Sequence, residues 1–358
     1  MAKPLEGQVA LVAGATRGAG RGIARVLAEA GAEVWCTGRT TRSQPSPMRR
    51  PETIEETAEL IQAAGGRAHA VRVDHSVEAE VEALAARIKA ESGRLDILVN
   101  DLWGGDPMLD WSAKVWQLDI AAARGLIDQS LTSHLITVRH LAPMMVEAGR
   151  GLILEVTDGL LDGYRGQVLF DLVKAAVMRL GYAMAWDFRG TGVTALTLSP
   201  GFLRSEVVLE SFGVSEANWR DGAAKDRLFE ESETTSFLGR GIAALAADPE
   251  VGRFAGSALA SEDLADLYGL DDADGRRPHV YRHFERIARD IAAAAGELGD
   301  YDRFFAWASY LRCHRDPKTA DMAEGLAQRL GWTELPLALA PQWPESQAKR
   351  TTNSAANT

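Results

Sequence analysis

Cysteine is nearly missing from this chain. Cys36 and Cys313 are the only two in 358 residues, and neither has a partner at metal-binding spacing. A disulfide framework is therefore excluded, and two unpaired thiols in a reducing cytoplasm are the expectation. Positive charge is also short, with 39 Lys and Arg against 50 Asp and Glu, a net charge of −11 and a pI near 5.2. The field of such a chain repels polyanions, which argues against nucleic acid or an anionic membrane as a general partner. No apolar run reaches spanning length. The opening stretch MAKPLEGQVALVAGATRG is broken by Gly and Arg, so it reads as neither a signal peptide nor a span. No internal repeat is visible.

What the chain has is enough apolar residue, 46%, for one large core, and a regular alternation of patterns. QVALVAG (8–14), AEVWCTG (32–38), RAHAVRV (67–73), LDILVN (95–100), GLILEV (151–156) and VTALTL (193–198) read as strands, several apolar at successive positions, as strands covered on both faces should be. GRGIARVLAEAG, PETIEETAELIQAAGG and SVEAEVEALAARIKAESG place Ile, Val, Leu and Ala at helical spacing and end in Gly. Strands alternating with amphipathic helices predict an α/β fold: a Rossmann-type, doubly wound parallel sheet with helices on both faces.

After residue 200 the pattern loosens. The stretch 202–226 mixes polarity and aromatics, as a lid or substrate loop would, and GSALAS (256–261) offers a last strand. The expected organisation is a nucleotide-binding domain over 1–278, a helical C-terminal extension over 279–340 and a disordered tail over 341–358, where apolar anchors are lacking.

GATRGAGRGIA follows the first strand and opens the first helix, placing Gly14, Gly18 and Gly20, with Thr16, Arg17 and Ala19 between and beside them. Glycine lets the backbone turn tightly and lets a pyrophosphate approach N–H groups at the positive end of the helix. Three residues, not one, separate the first two glycines. That spacing resembles the short-chain dehydrogenase/reductase family, with Ala13 in place of the usual Thr. The second strand ends in CTGRTTR, where an NAD-binding protein usually carries an acid for the ribose 2′-hydroxyl. Arg39 stands there, and Arg17 sits in the turn. Both suit a 2′-phosphate, so NADP(H) is the expected cofactor, although two solvated surface arginines would look the same in sequence.

The resemblance extends downstream and implies further sites. Asp74 and His75 in VDHS match the position that holds the adenine, and Asn100 in LVND matches the start of the family's Asn-Asn-Ala-Gly stretch, with DLWGG an unusual continuation. Pro200 and Gly201 in SPGFLRS match the turn beside the nicotinamide, and Ser205 is placed to meet its carboxamide. LWGGD, GYRG, LSPGFLRSE, ANWRD and LADLYGLDDADG resemble, more narrowly, the dehydrogenase/reductase member 1-like branch.

In the family a Tyr and a Lys four residues apart share one helix face, the Lys holding the nicotinamide ribose and lowering the Tyr pKa so that the phenol can move a proton. Here Lys174 is kept, but LFDLVKAA puts Phe170 in the Tyr position. Asp158, twelve residues earlier in VTDG, takes the place of the orienting Ser, and His134 that of the supporting Asn. Phe170 has no exchangeable proton, which leaves three readings. The chain is an inactivated oxidoreductase of carbonyls and alcohols. Or it is active by another proton route, through Asp158 or Tyr164, or on an imine that needs less help. Or it is a catalytically silent NADP-binding protein with a sensing or assembly role.

Trp103, Trp111 and Trp116 are either core or the wall of a pocket for an apolar or aromatic small molecule. His279 and His283 lie four apart without a third ligand, so a solvated helix surface is favoured over a metal site, and DDADG at 271–275 reads as a turn. By resemblance, the helices around 110–147 and 168–188 imply a homodimer or homotetramer.

Overall fold

The computed structural model describes residues 3–46, 48–158, 167–283 and 286. Two compact units divide the chain, Met1–Glu285 and Arg286–Thr358. The fold below is that of the first. The expected extension and tail lie almost wholly outside the described residues, as does Tyr164.

Every expected strand is present. β1 (Val9–Ala13), β2 (Glu33–Gly38), β3 (Arg67–Arg72), β4 (Ile97–Asn100), β5 (Gly151–Val156), β6 (Val193–Ser199) and β7 (Ala258–Ala260) form one sheet in the order β3-β2-β1-β4-β5-β6-β7. All neighbours pair in parallel. The helices are α1 (Gly18–Glu29), α2 (Ile54–Ala63), α3 (Glu78–Glu91), α4 (Ile120–Ile127), α5 (Ser133–Ala148), α6 (Val168–Asp187), α7 (Glu206–Phe212), α8 (Phe237–Ala247) and α9 (Ser261–Tyr268).

A core forms on each face of the sheet, because side chains along a strand alternate between faces. Ala10 and Val12 of β1 join Ile23 and Leu27 of α1 and Leu238, Ile242 and Leu264 of α8 and α9. Val9 and Leu11 instead meet Val81 and Leu84 of α3, Leu141 and Met145 of α5 and Met184 of α6. A strand buried on both sides has no polar face, which is why β1 reads as the uninterrupted run VALVA. The chain leaves β1 towards β2 and returns at β4 on its other side, so the crest between Ala13 and Asn100, which pair directly, is the point where the winding reverses. Ligands bind such sheets there.

The stretch 202–226, expected as a lid or substrate loop, is anchored to later parts of the chain. Arg204, 1% exposed, donates to the Ser232 carbonyl and hydroxyl (2.8 and 3.1 Å) and to Asp274 (3.1 Å), and stacks 4.3 Å over Trp219. This guanidinium ties the approach to α7 to three later segments. The pair His279 and His283 is not a solvated surface. His283 is buried and its Nε2 bonds the Arg227 carbonyl at 2.8 Å, because its helical turn packs against 227–231. No cluster of metal-ligating side chains occurs among the described residues.

Glu233 lies 1% exposed beside the Pro200–Gly201 turn, bridged to Leu203 and accepting the Ser261 hydroxyl at 2.5 Å. Burial, with Asp272 and Glu262 nearby, pushes its carboxyl up to about 8 against the pull of Ser261 and the Gly201 N–H. The folded state therefore keeps a proton that an unfolded Glu, at 4.5, has released. More protons bound in the native state means stability that is full at low pH and lost as pH rises towards the folded value. The melting temperature of Glu233→Gln relative to the unaltered chain should climb as pH goes from about 5 to about 8 and level off above. A difference that ignores pH would show that Glu233 is not held neutral.

Candidate active site

The turn between β1 and α1 is pressed onto the crest of β4. Gly14 has φ +94°, and a Cβ there would stand 2.1 Å from the Asp101 carbonyl oxygen. A Cβ at Gly20 would stand 2.3 Å from the Gly14 carbonyl and 3.0 Å from Asp101 Oδ2. Only glycine fits at either place. The product is a cradle of backbone N–H groups at the N-terminus of α1, the form an anionic nucleotide requires, so the residues present fit such a group.

Two carboxylates of the chain itself sit in this cradle. Glu206, the first residue of α7, takes the Gly18 N–H at 2.9 Å. Asp101 receives the Gly20 N–H, and burial pushes its carboxyl up to about 7 against the pull of Lys174, Gly20 and His134. On the same side Glu210 of α7 pairs with Arg50, which also binds Glu52 at 2.6 Å. The Ser205 hydroxyl caps α7 through Val208 N (3.3 Å), so its side chain is spent on the helix that carries Glu206.

At the end of β2, Arg39 and, in the turn, Arg17 are half-buried and make no ion pair among the described residues. Arg39 Nη2 lies where a Cβ on Gly104 would come to 2.5 Å, and its charge, with that of Arg72, offsets the burial of Asp74. The Asp74 carboxylate accepts the Ser76 N–H (3.0 Å) and hydroxyl (2.6 Å), which close the turn after β3. His75 is a structural strut. Its buried ring joins Thr37 of β2 and Thr137 of α5 at 2.8 Å each, and because Thr137 donates to the Ser133 carbonyl, Nδ1 carries the proton. Burial lowers this imidazole to about 3, so it stays neutral.

Between α4 and α5 a π-helical turn, Asp128–Thr132, resets the helix before His134. His134 is wholly buried. Its Nε2–H donates to the Leu102 carbonyl (3.1 Å), while Nδ1 is hydrogen-bonded to Glu155 of β5. The other Glu155 oxygen accepts from Asn100 Nδ2 at 2.8 Å. Asn100 and His134 are thus joined through a buried carboxylate and together fix the backbone at Leu102.

The Gln167 side chain caps α6, accepting Leu169 N (2.6 Å) and Phe170 N (2.9 Å). The helix then carries Phe170 and Lys174 on one face. Lys174 Nζ lies 2.9 Å from Asp158 Oδ1 and 4.0 Å above the Trp103 ring. Thr157 instead donates to the Lys174 carbonyl (3.3 Å), so of the two residues after β5 only Asp158 faces the site. Phe170 meets Trp103 edge to face at 5.5 Å and Trp111 at 5.2 Å. Trp111 and Trp116 are 56% and 80% exposed, which rules out the core reading for both.

Phe170, Lys174, Asp158 and Trp103 come together as the sequence places them, and Gly14, Thr16, Arg17, Gly18, Ala19 and Gly20 form the turn opposite. Asp101, Glu155 and Glu206 carry no signal in the sequence. Each matters through a partner remote in the chain, Glu206 lying 188 positions from Gly18.

A family profile described as short chain dehydrogenase matches residues 8–212. The chain is 34% identical over 306 residues to human dehydrogenase/reductase SDR family member 1, covering 84% of this chain and 94% of that one. It is 36% identical over 281 residues to the mouse protein of the same name, covering 77% and 86%. A short-chain dehydrogenase/reductase from Burkholderia xenovorans superposes with a TM-score of 0.60 at 26% identity, over 72% of this chain and 96% of that one. A 7α-hydroxysteroid dehydrogenase solved with NADH and 7-oxo glycochenodeoxycholic acid shares the fold, with a TM-score of 0.58 at 22% identity over 77% and 96%.

An anion entering the cradle must displace the Glu206 carboxylate, which also repels it. Glu206→Gln should therefore tighten dinucleotide binding about three- to tenfold, in line with the ~1 kcal/mol of a charged group at a helix N-terminus. Fluorescence titration reads this. Unchanged or weaker binding would show that Glu206 does not compete.

Proposed function

The chain belongs to the short-chain dehydrogenase family, whose members pair a nicotinamide cofactor with small-molecule substrates, and we propose that it is an NADP(H)-dependent oxidoreductase of carbonyl/alcohol or imine groups. The observation that carries the reading is the glycine cradle closed on Asp101 with Lys174 retained across the crest. Arg17 and Arg39, which make no ion pair among the described residues, support a 2′-phosphate, and hence NADP(H) over NAD(H). In this reading Gly14, Gly18 and Gly20 receive the pyrophosphate and Thr16 and Ala19 shape the turn. Asp74 and the His75 backbone flank the adenine, and Asn100 supports the β4 turn. Lys174 holds the ribose, and Pro200, Gly201 and Ser205 border the nicotinamide. When bound, the cofactor supplies or takes a hydride. Asp158 orients the substrate, His134 holds Leu102 in place, and Phe170 gives the substrate a face without a proton.

A second reading, a catalytically silent NADP-binding protein, draws on the same Phe170 and on the pairing of Lys174 with Asp158. Exposed Leu135 and Val146 on α5, and Leu172, Tyr182 and Trp186 on α6, support a homodimer or homotetramer built on these helices. No helix among the described residues is long and apolar enough to cross a membrane. The buried Cys36 thiol, pushed up to about 12 by desolvation, suits a reducing cytoplasm.

NADPH should bind more tightly than NADH, and Arg39→Ala should weaken NADPH at least about tenfold while moving NADH little, since a charge-assisted hydrogen bond contributes ~1.5–3 kcal/mol. Equal losses for both would remove the 2′-phosphate assignment. Phe170→Tyr should raise ketone reduction by about 10²- to 10⁴-fold, the usual contribution of a general acid. If NADPH binds to both forms and neither reduces any substrate, the silent reading stands.

A further inference from the structure

The substrate side of Lys174 is built as a receptor for positive charge. Trp103 is held by its Nε1–H on Asp106 Oδ1 (2.9 Å), and Trp103 and Trp111 stand against Phe170 at 5.5 and 5.2 Å. Asp158 stands beside the ammonium that lies over Trp103. A cation already marks the place: the Lys174 ammonium lies 4.0 Å from the Trp103 centroid, 5.4 Å from that of Phe170 and 2.9 Å from Asp158 Oδ1. Aromatic faces with a carboxylate hold cations through the ring quadrupole and the opposite charge.

We propose that the substrate enters this box as a planar cation, an iminium C=N⁺ attached to an apolar or aromatic skeleton. The inference rests on the oxidoreductase reading above and names its substrate class. Lys174 then turns from the box to the nucleotide ribose, the role the family resemblance gives it, and the substrate's charge takes its place beside Asp158.

The chemistry suits the residues. Hydride from the reduced nicotinamide forms a new C–H bond at the iminium carbon. The C=N π pair moves to nitrogen as a lone pair, the product is a neutral amine, and the nicotinamide is left oxidised. The amine takes a proton from water after release. No alkoxide forms, so no donor is needed at position 170, whereas hydride addition to a ketone leaves an oxyanion that the family's Tyr would protonate. Because the positive charge on the substrate fades as hydride arrives, the Asp158 carboxylate favours binding more than the transition state. Its loss should appear chiefly in KM.

The first measurement uses the full chain and needs no turnover. Tryptophan fluorescence is titrated with trimethylanilinium and with its neutral isostere tert-butylbenzene, with and without saturating NADPH. The cation should bind at least about tenfold more tightly than the isostere, as cation–π contact plus a carboxylate provides. Asp158→Asn and the partly exposed Trp111→Leu should each erase most of that preference, and Leu267→Ala, on the exposed surface of α9, should leave it intact. In turnover, N-methyl-3,4-dihydroisoquinolinium should be reduced and 1-tetralone should not, with Asp158→Asn raising KM more than it lowers kcat. Equal binding of cation and isostere while NADPH binds normally would overturn the substrate class and leave the oxidoreductase reading standing. Failure of NADPH to bind would bring down that reading and this one together.

Discussion

The close approach of Gly14 to the Asp101 carbonyl is the constraint on which the site depends. It presses the turn after β1 onto the turn after β4, and so fixes where residues 101 to 103 run. From there the dependence passes outward. The Leu102 carbonyl is held by buried His134, and Trp103, next in the chain, meets both Phe170 and the Lys174 ammonium. A side chain at position 14 would move the backbone that carries Trp103 as well as the phosphate cradle. Cofactor turn and substrate wall are two sides of one contact.

How much of this is legible in the sequence follows from the range of each interaction. Strands buried on both faces are apolar at every position, so β1, β4 and β5 read directly, and a glycine turn is a backbone property written locally. Phe170 and Lys174 read as a pair because helical geometry alone puts residues four apart on one face. The carboxylates do not read. Glu206 looks like a helix-opening acid, and nothing within α7 says that its partner is Gly18. Glu155 is one polar letter in GLILEV, and its meaning comes from Asn100 and His134 on neighbouring elements. His283 shows the same limit. Spacing says which residues share a face but not which face is covered, and the 227–231 turn covers this one.

The acidic excess is handled differently at each buried place. Burial pushes the Glu233 carboxyl towards its neutral form, and Glu155 is answered by an amide and an imidazole. A buried charge without a partner costs several kcal/mol, so these arrangements are conditions of the fold. The carboxylates of Glu206 and Asp101 sit on turn N–H groups that a ligand would claim, and Glu206 lies on a short helix at the edge of the crest. Folding and ligand entry therefore draw on different acids.

The three departures at the active site hang together physically. Here His134 has both ring nitrogens engaged, Asp158 reaches the one retained cation, and Phe170 is packed by two tryptophans, one of which also lies beneath that cation. Restoring the family residue at 158 or 134 would disturb the set. A Ser at 158 would remove the carboxylate 2.9 Å from the Lys174 ammonium, and an Asn at 134 is too short to span Leu102 and Glu155 as the imidazole does. Such mutual dependence is what a site shaped for a different acceptor would show. A phenyl wall beside a carboxylate suits a substrate that brings its own positive charge, because it asks the protein for a counter-ion and no proton.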